Sequence, residues 1–125
     1  MAGEFGAYIA QKRIERDVKL KSMAERLGMS VTYLSDIIKG RRNPPDKAGL
    51  DIMAEMLCLS EEERHLLYDL AGKERDQASP DLTEIIMDDS MGEARTALRR
   101  ASSKNLGNDF WEEVNRMIDA RGSNQ

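Results

Sequence analysis

The sequence predicts an all-α fold, and three observations on its 125 residues carry that expectation. Strand-like alternation of β-branched residues is absent. Apolar residues recur instead at spacings of three and four. The composition, with eight Met and many Ala, Leu and Ile, suits helices. At 40% apolar and 5% aromatic, a chain of this size builds a modest core, in one domain with an extension.

Each element follows from its own local signals. The first helix reads from about Phe5 to Arg16, with Phe5, Ile9 and Ile14 inward. The second reads from Leu20 to Leu27, with Leu20, Met23, Ala24 and Leu27 at i, i+3, i+4 and i+7. Gly28 stands where a left-handed residue would end it. Ser30 can cap a third helix, Val31 to Lys39, by accepting a backbone N–H bond. Its inward positions are Leu34, Ile37 and Ile38. Gly40 is the next C-terminal stop, and Pro44-Pro45 prevents continuation. A fourth helix starts at Asp46 and carries Leu50, Met53, Ala54 and Leu57. Ser60 to Glu63 reads as a capping box for a fifth helix with Leu66, Leu67, Leu70 and Ala71 inward, closed by Gly72.

Residues 1–72 thus form the expected first domain, 73–80 a polar linker, and 81–125 a helical extension. In the extension, Leu82, Ile85 and Ile86 mark a short helix. Ser90 to Glu93 reads as a second capping box, followed by a stripe of Met91, Ala94, Leu98 and Ala101. Asn108 or Asp109 would cap a last helix that places Phe110, Trp111, Val114, Met117 and Ile118 mostly on one face. Such stripes need burial, either on the same chain or in a homodimer. Met91, Leu98, Phe110, Trp111, Val114 and Ile118 are the dimerisation candidates, since the first five helices already make a complete small domain.

Charge is unevenly spread. The chain carries −4 overall, yet residues 1–45 hold nine Lys/Arg and five Asp/Glu, a balance of +4, and residues 46–125 hold ten and eighteen, a balance of −8. Salt screens charges beyond ~8–10 Å, so the local field governs binding, and a basic N-terminal part can meet phosphates despite the net charge. Enzyme and metal readings are weak. His65 and Cys58 are the sole residues of their types, outside the common metal spacings. His65 is expected at the surface and Cys58 packed at a helix end. Asp88-Asp89 reads as a helix boundary. No phosphate loop or Ser-His-Asp pattern is present, and no catalysis, metal or cofactor is expected. A single cysteine, no run near the ~20 apolar residues of a membrane span, and an N-terminus without signal-peptide features make the cytoplasm the expected location.

The stretch "RLGMSVTYLSDIIKGRRNPP" therefore breaks one short helix, starts another, and sets two arginines at its exit. Two such helices cross at a large angle and let the second project into a DNA major groove. Arg41, Arg42 and Asn43 leave it where the sugar-phosphate backbone would lie, and the guanidinium fork suits phosphate. With the preceding Met23-Ala24-Glu25, the stretch resembles the helix-turn-helix of phage-repressor-like regulators, the Xre or Cro/CI family. The resemblance covers roughly Phe5 to Gly72 and rests on Ala24, Gly28, Ser30, Tyr33-Leu34-Ser35, Gly40 and Arg42-Asn43-Pro44.

The resemblance implies base-reading positions at Val31, Thr32, Tyr33, Ser35 and Asp36. Val31 and the Thr32 methyl suit a thymine methyl, the Thr32 and Ser35 hydroxyls a base edge or phosphate, and Asp36 the cytosine amino group. Alternatively, Asp36 is a surface acid paired with Lys39 or Arg41. Arg13, Ser30, Lys39, Arg41, Arg42 and Asn43 are the phosphate candidates, with Ser30 chiefly a cap. Two departures stand out. Leu20 replaces the glutamine common at the start of the second helix. Ile38 replaces a glutamate that commonly pairs with the first-helix arginine, here Arg13. Arg13 is then open to a phosphate, or to an acid such as Glu15 or Asp17. The expected protein is a homodimeric, sequence-specific regulator of double-stranded DNA, a repressor acting by operator occupancy. The competing expectation is an antitoxin-like module that binds a protein partner through the acidic C-terminal part.

Overall fold

The computed structural model describes residues 3–123. Among them the helices are α1 (Glu4–Arg16), α2 (Leu20–Leu27), α3 (Val31–Ile38), α4 (Lys47–Met56), α5 (Glu61–Arg75), α6 (Pro80–Ile86), α7 (Gly92–Ser103) and α8 (Asn108–Ser123), with a 3-10 turn at Asp89–Met91. No strand occurs among the described residues, in accord with the all-α expectation. The chain divides into two compact units at Glu84 and Ile85.

In the first unit the expected caps form. Gly28 adopts φ 69°, a left-handed conformation that glycine reaches without a Cβ penalty, and its N–H closes α2 on the Glu25 carbonyl at 3.1 Å. The Ser30 hydroxyl accepts from the Tyr33 N–H at 3.0 Å. Gly40 takes φ 82° after α3, and Asp46 caps α4 through the Gly49 N–H at 3.1 Å. The Ser60–Glu63 capping box is complete in both directions.

These stops let α1 to α5 wrap a shared core. Phe5 and Ile9 of α1, Met23 and Ala24 of α2, and Leu34 and Ile37 of α3 meet Leu50, Met53 and Ala54 of α4, Leu57 beyond it, and Leu67, Tyr68, Leu70 and Ala71 of α5. Burial of such side chains is the main favourable term in folding. Leu20, Leu27 and Ile38 pack against this cluster while half-buried. Gly6 allows a close helix approach: a Cβ there would lie 1.8 Å from the Ile38 carbonyl oxygen. The first helix is thereby held directly against the end of α3.

A polar knot joins α1 to α5. Glu63 accepts from Lys12 Nζ at 2.6 Å, from the Ser60 N–H at 2.9 Å and from Arg16 Nη2 at 3.4 Å. Arg16 Nε also donates to the Leu57 carbonyl at 3.1 Å. The Lys12 bond, with the Ser60 N–H next, holds the Glu63 carboxyl well below the usual range, at about 2. On the other side of α5, Tyr68 donates to Asp51. Burial first, and that carboxylate second, push the Tyr68 hydroxyl up to about 12.

Several expectations are corrected. Ile14 is 80% exposed rather than inward, because five residues beyond Ile9 it is turned about 140° around the helix. Leu66 is also exposed and Tyr68 takes an inward place instead. Gly72 does not close α5: the helix runs on to Arg75, and Asp76 supplies the left-handed cap at φ 56°. Gly72 instead packs tightly against the backbone of residues 77–79. Cys58 is exposed, in a left-handed turn at φ 51°. Leu82 and Ile85 are exposed, not inward.

In the second unit the Ser90–Glu93 box does not form. Asp88 intercepts Ser90, accepting from its N–H at 2.9 Å and its hydroxyl at 2.6 Å, so α7 starts later, at Gly92. Arg95 Nη1 donates to the Ile86 and Asp88 carbonyls at 2.6 and 3.0 Å. Asn108 and Asp109 are the first two residues of α8 rather than residues preceding it. Ala101 is buried, while Met91, Ala94, Phe110, Trp111 and Val114 are half-buried. Phe110 and Trp111 meet edge to face at 4.9 Å. Leu98, Met117 and Ile118 are exposed.

Candidate nucleic-acid interface

The geometry of α3 follows from its periodicity. Leu34 and Ile37 are fully buried and anchor the helix. Val31, Thr32 and Tyr33 are exposed, and Ser35 and Asp36 half-exposed. The base-reading candidates therefore include an open N-terminal face on a helix fixed from behind by core packing. Leu20, at the departure from the resembled pattern, is half-buried against the core.

The exit of α3 carries the cations. The Arg41 N–H bonds the Asp36 carbonyl at 2.9 Å and the Gly40 N–H the Ile37 carbonyl at 3.1 Å, so the backbone turns sharply and Arg41, Arg42 and Asn43 stand exposed beside the helix. The Arg42 guanidinium lies 4.6 Å from the Tyr33 ring centroid, within cation–π range. Lys39 is exposed and has no ion pair among the described residues. Asp36 lies 3.5 Å from Arg41 Nη1 and 3.9 Å from Arg42 Nε. Of the two readings of this acid, an arginine pairing is the one seen in the free chain, with Arg41 and Arg42 rather than Lys39.

Arg13 does not take the acid partner expected as one of its two alternatives. Its Nη1 donates to the Val18 carbonyl at 3.1 Å, and its Nε is buried without a hydrogen-bond partner. It pairs with neither Glu15 nor Asp17: Glu15 takes Lys12 and Asp17 is the left-handed cap of α1. Ile38, packed against the core, supplies no acid to it.

Two features were not found by sequence reasoning. Arg75 reaches from α5 to the Pro44 carbonyl, with Nε at 3.2 Å and Nη2 also bonded, and so ties down the segment that follows the two arginines. No local pattern links residues 31 positions apart. The second is the start of α2. It has no side-chain cap and no acid in its first turn, and it is flanked by exposed Lys19 and Lys21. Its leading N–H groups and positive dipole end make an anion-friendly corner. The missing cap residue was the available signal.

Two short helices meeting at Gly28, the second pinned by its core face and open at its start, define a helix-turn-helix protein. Residues 4–67 match the helix-turn-helix domain family, and the chain belongs to it. A 44-residue segment is 52% identical to the "ImmF control region 10 kDa protein" of Bacillus phage phi105, covering 35% of this chain. The match spans about half, 49%, of that relative's length. No solved structure matches the chain. The family and the relative support the resemblance to Xre-like regulators, and with it a DNA-binding regulator. No helix among the described residues is long and apolar enough to cross a membrane.

Proposed function

We propose that this protein is a sequence-specific repressor of transcription that works by occupying a double-stranded DNA operator as a homodimer. The observation that carries the reading is α3, anchored by Leu34 and Ile37 and open at Val31, Thr32 and Tyr33, with exposed Arg41, Arg42 and Asn43 at its exit. A helix so held can enter the major groove with side chains of its first turns on base edges. In this reading Val31, Thr32, Tyr33 and Ser35 face bases. Lys39, Arg41, Arg42 and Asn43 bond phosphates, and Lys19, Lys21 and the start of α2 take a further phosphate. Arg13 steadies the α1–α2 corner through Val18 and brings positive charge to it. The relative's "control region" name favours a regulatory role, and occupancy of DNA needs no catalytic group.

The homodimer is favoured by the exposed Leu98, Met117 and Ile118 of the second unit, which a second copy would cover. A dimer presents two α3 helices, matching the two half-sites of a palindromic operator. The test is titration of labelled duplex at several salt concentrations, alongside sedimentation. The reading expects dimer mass and affinity that falls steeply with salt. A folded protein that ignores every duplex and instead holds a protein partner would establish the competing class.

A further inference from the structure

Asp36 occupies a position from which the family resemblance implies base reading. The geometry gives it another role. Its two carboxylate oxygens face different cations, Arg41 Nη1 at 3.5 Å and Arg42 Nε at 3.9 Å. Its backbone carbonyl accepts the Arg41 N–H at 2.9 Å, so one residue directs both the departure of the chain and the side chain that follows. The Asp36 side chain is 26% exposed, against 70% for Arg41 and 53% for Arg42. The acid is thus the inner member of the cluster and the arginines the outer ones. Tyr33 holds Arg42 from a further side.

From this arrangement we infer that Asp36 is a positioning residue and counter-ion that sets overall affinity for DNA through Arg41 and Arg42, and is not a reader of cytosine. The inference rests on the DNA-binding reading above. Two carboxylate oxygens engaged by guanidinium groups are poorly placed to accept from a base amino group. A phosphate that approaches either arginine must compete with the acid already there. After the exchange, the carboxylate still repels the phosphate. Both costs apply alike to every duplex, whatever its sequence. Asp36 therefore lowers affinity uniformly while it keeps the two flexible side chains gathered at the exit of α3.

The experiment compares the full chain with Asp36→Asn and Asp36→Gln, which remove the charge, and with Asp36→Glu, which keeps it. Each is titrated with a random-sequence duplex and with a duplex selected by the unaltered protein, over a range of salt. Exposed ion pairs are each worth a factor of roughly 1.5–5, so removing the charge should tighten both duplexes by roughly 3- to 10-fold. The logarithmic salt slope should steepen by less than a full phosphate contact, since Arg41 and Arg42 already bond phosphates in the parent. Asp36→Glu should stay near the parent. In an Arg41→Ala, Arg42→Ala background the Asp36→Asn effect should shrink to the part due to direct repulsion between carboxylate and phosphate, since the competition for the arginines is gone. Circular dichroism confirms folding of each variant. A change confined to preference at one base pair would make Asp36 a base reader and overturn the inference. Unaltered affinity and slope in both charge-removing variants would overturn it as well. A folded parent that bound neither duplex would instead refute the DNA-binding reading, and this inference with it.

Discussion

Replacing Gly6 by alanine sets two physical effects against each other with opposite signs. By helix propensity alone the change favours the folded state, because alanine is better than glycine in a helix interior by about 0.8–1.0 kcal/mol. The packing opposes it. The new Cβ would stand 1.8 Å from the Ile38 carbonyl oxygen and 2.7 Å from the carbonyl carbon, where ordinary contacts begin at 3.4 Å. The obstacle is backbone at the end of α3, so no side-chain rotation relieves it. Either α1 or the end of α3 must move by more than an ångström. Overpacking of this kind costs about 1–3 kcal/mol, and the rigid obstacle puts this site at the upper end. The net loss is then ~2 kcal/mol, which for a unit of this size lowers Tm by roughly 8–16 °C. Thermal unfolding followed by circular dichroism reads it directly. An unchanged or raised Tm would mean that α1 does not press on α3.

Further outcomes follow from the same structure. Arg41→Ala and Arg42→Ala should each weaken all duplexes by a similar factor and make the salt slope shallower by about one unit for each phosphate no longer bonded, measured by titration at several salt concentrations. Thr32→Ala should instead shift preference at particular base pairs, with ~1–3 kcal/mol at stake for a good base-specific bond, as read by competition among single-base variants of a bound duplex. The Glu63 carboxyl, held at about 2 against an ordinary 4.5, contributes stability that is present above pH 4.5 and lost as pH falls toward 2. Urea unfolding should therefore show Glu63→Gln weaker than the parent near neutrality, with the gap closing across that interval. A chain ending at Glu84 keeps Arg75 and the whole first unit, so it should stay folded but sediment as a monomer. It should bind a two-half-site duplex roughly 10²- to 10⁴-fold more weakly.

What could be read from the residues alone was what local chemistry decides. Ser30, Asp46 and the Ser60–Glu63 pair cap helices through groups three residues away, and Gly28 needs a left-handed turn at its own position. Those signals placed α2 and α3, and with them the candidate interface. Where two local signals competed, the weaker one was misread: Asp88 captures Ser90, and Gly72 serves a close backbone approach while Asp76 ends the helix. Interactions between distant residues left no trace. Nothing in the sequence around Gly6 names Ile38, whose backbone lies against it. Arg75 has nothing in its neighbourhood that names Pro44. In the second unit the apolar stripes were legible, but periodicity states that a face needs cover and not what covers it.

In the proposed function α3 reads DNA sequence, and two copies do so together. The most direct measurement is selection of duplexes bound by the full chain from a random-sequence pool. The expected result is enrichment of a palindromic motif with half-sites about one helical turn, ~34–36 Å, apart. A bound pool with no enriched sequence would contradict sequence-specific recognition, and a single half-site bound without symmetry would contradict the dimer.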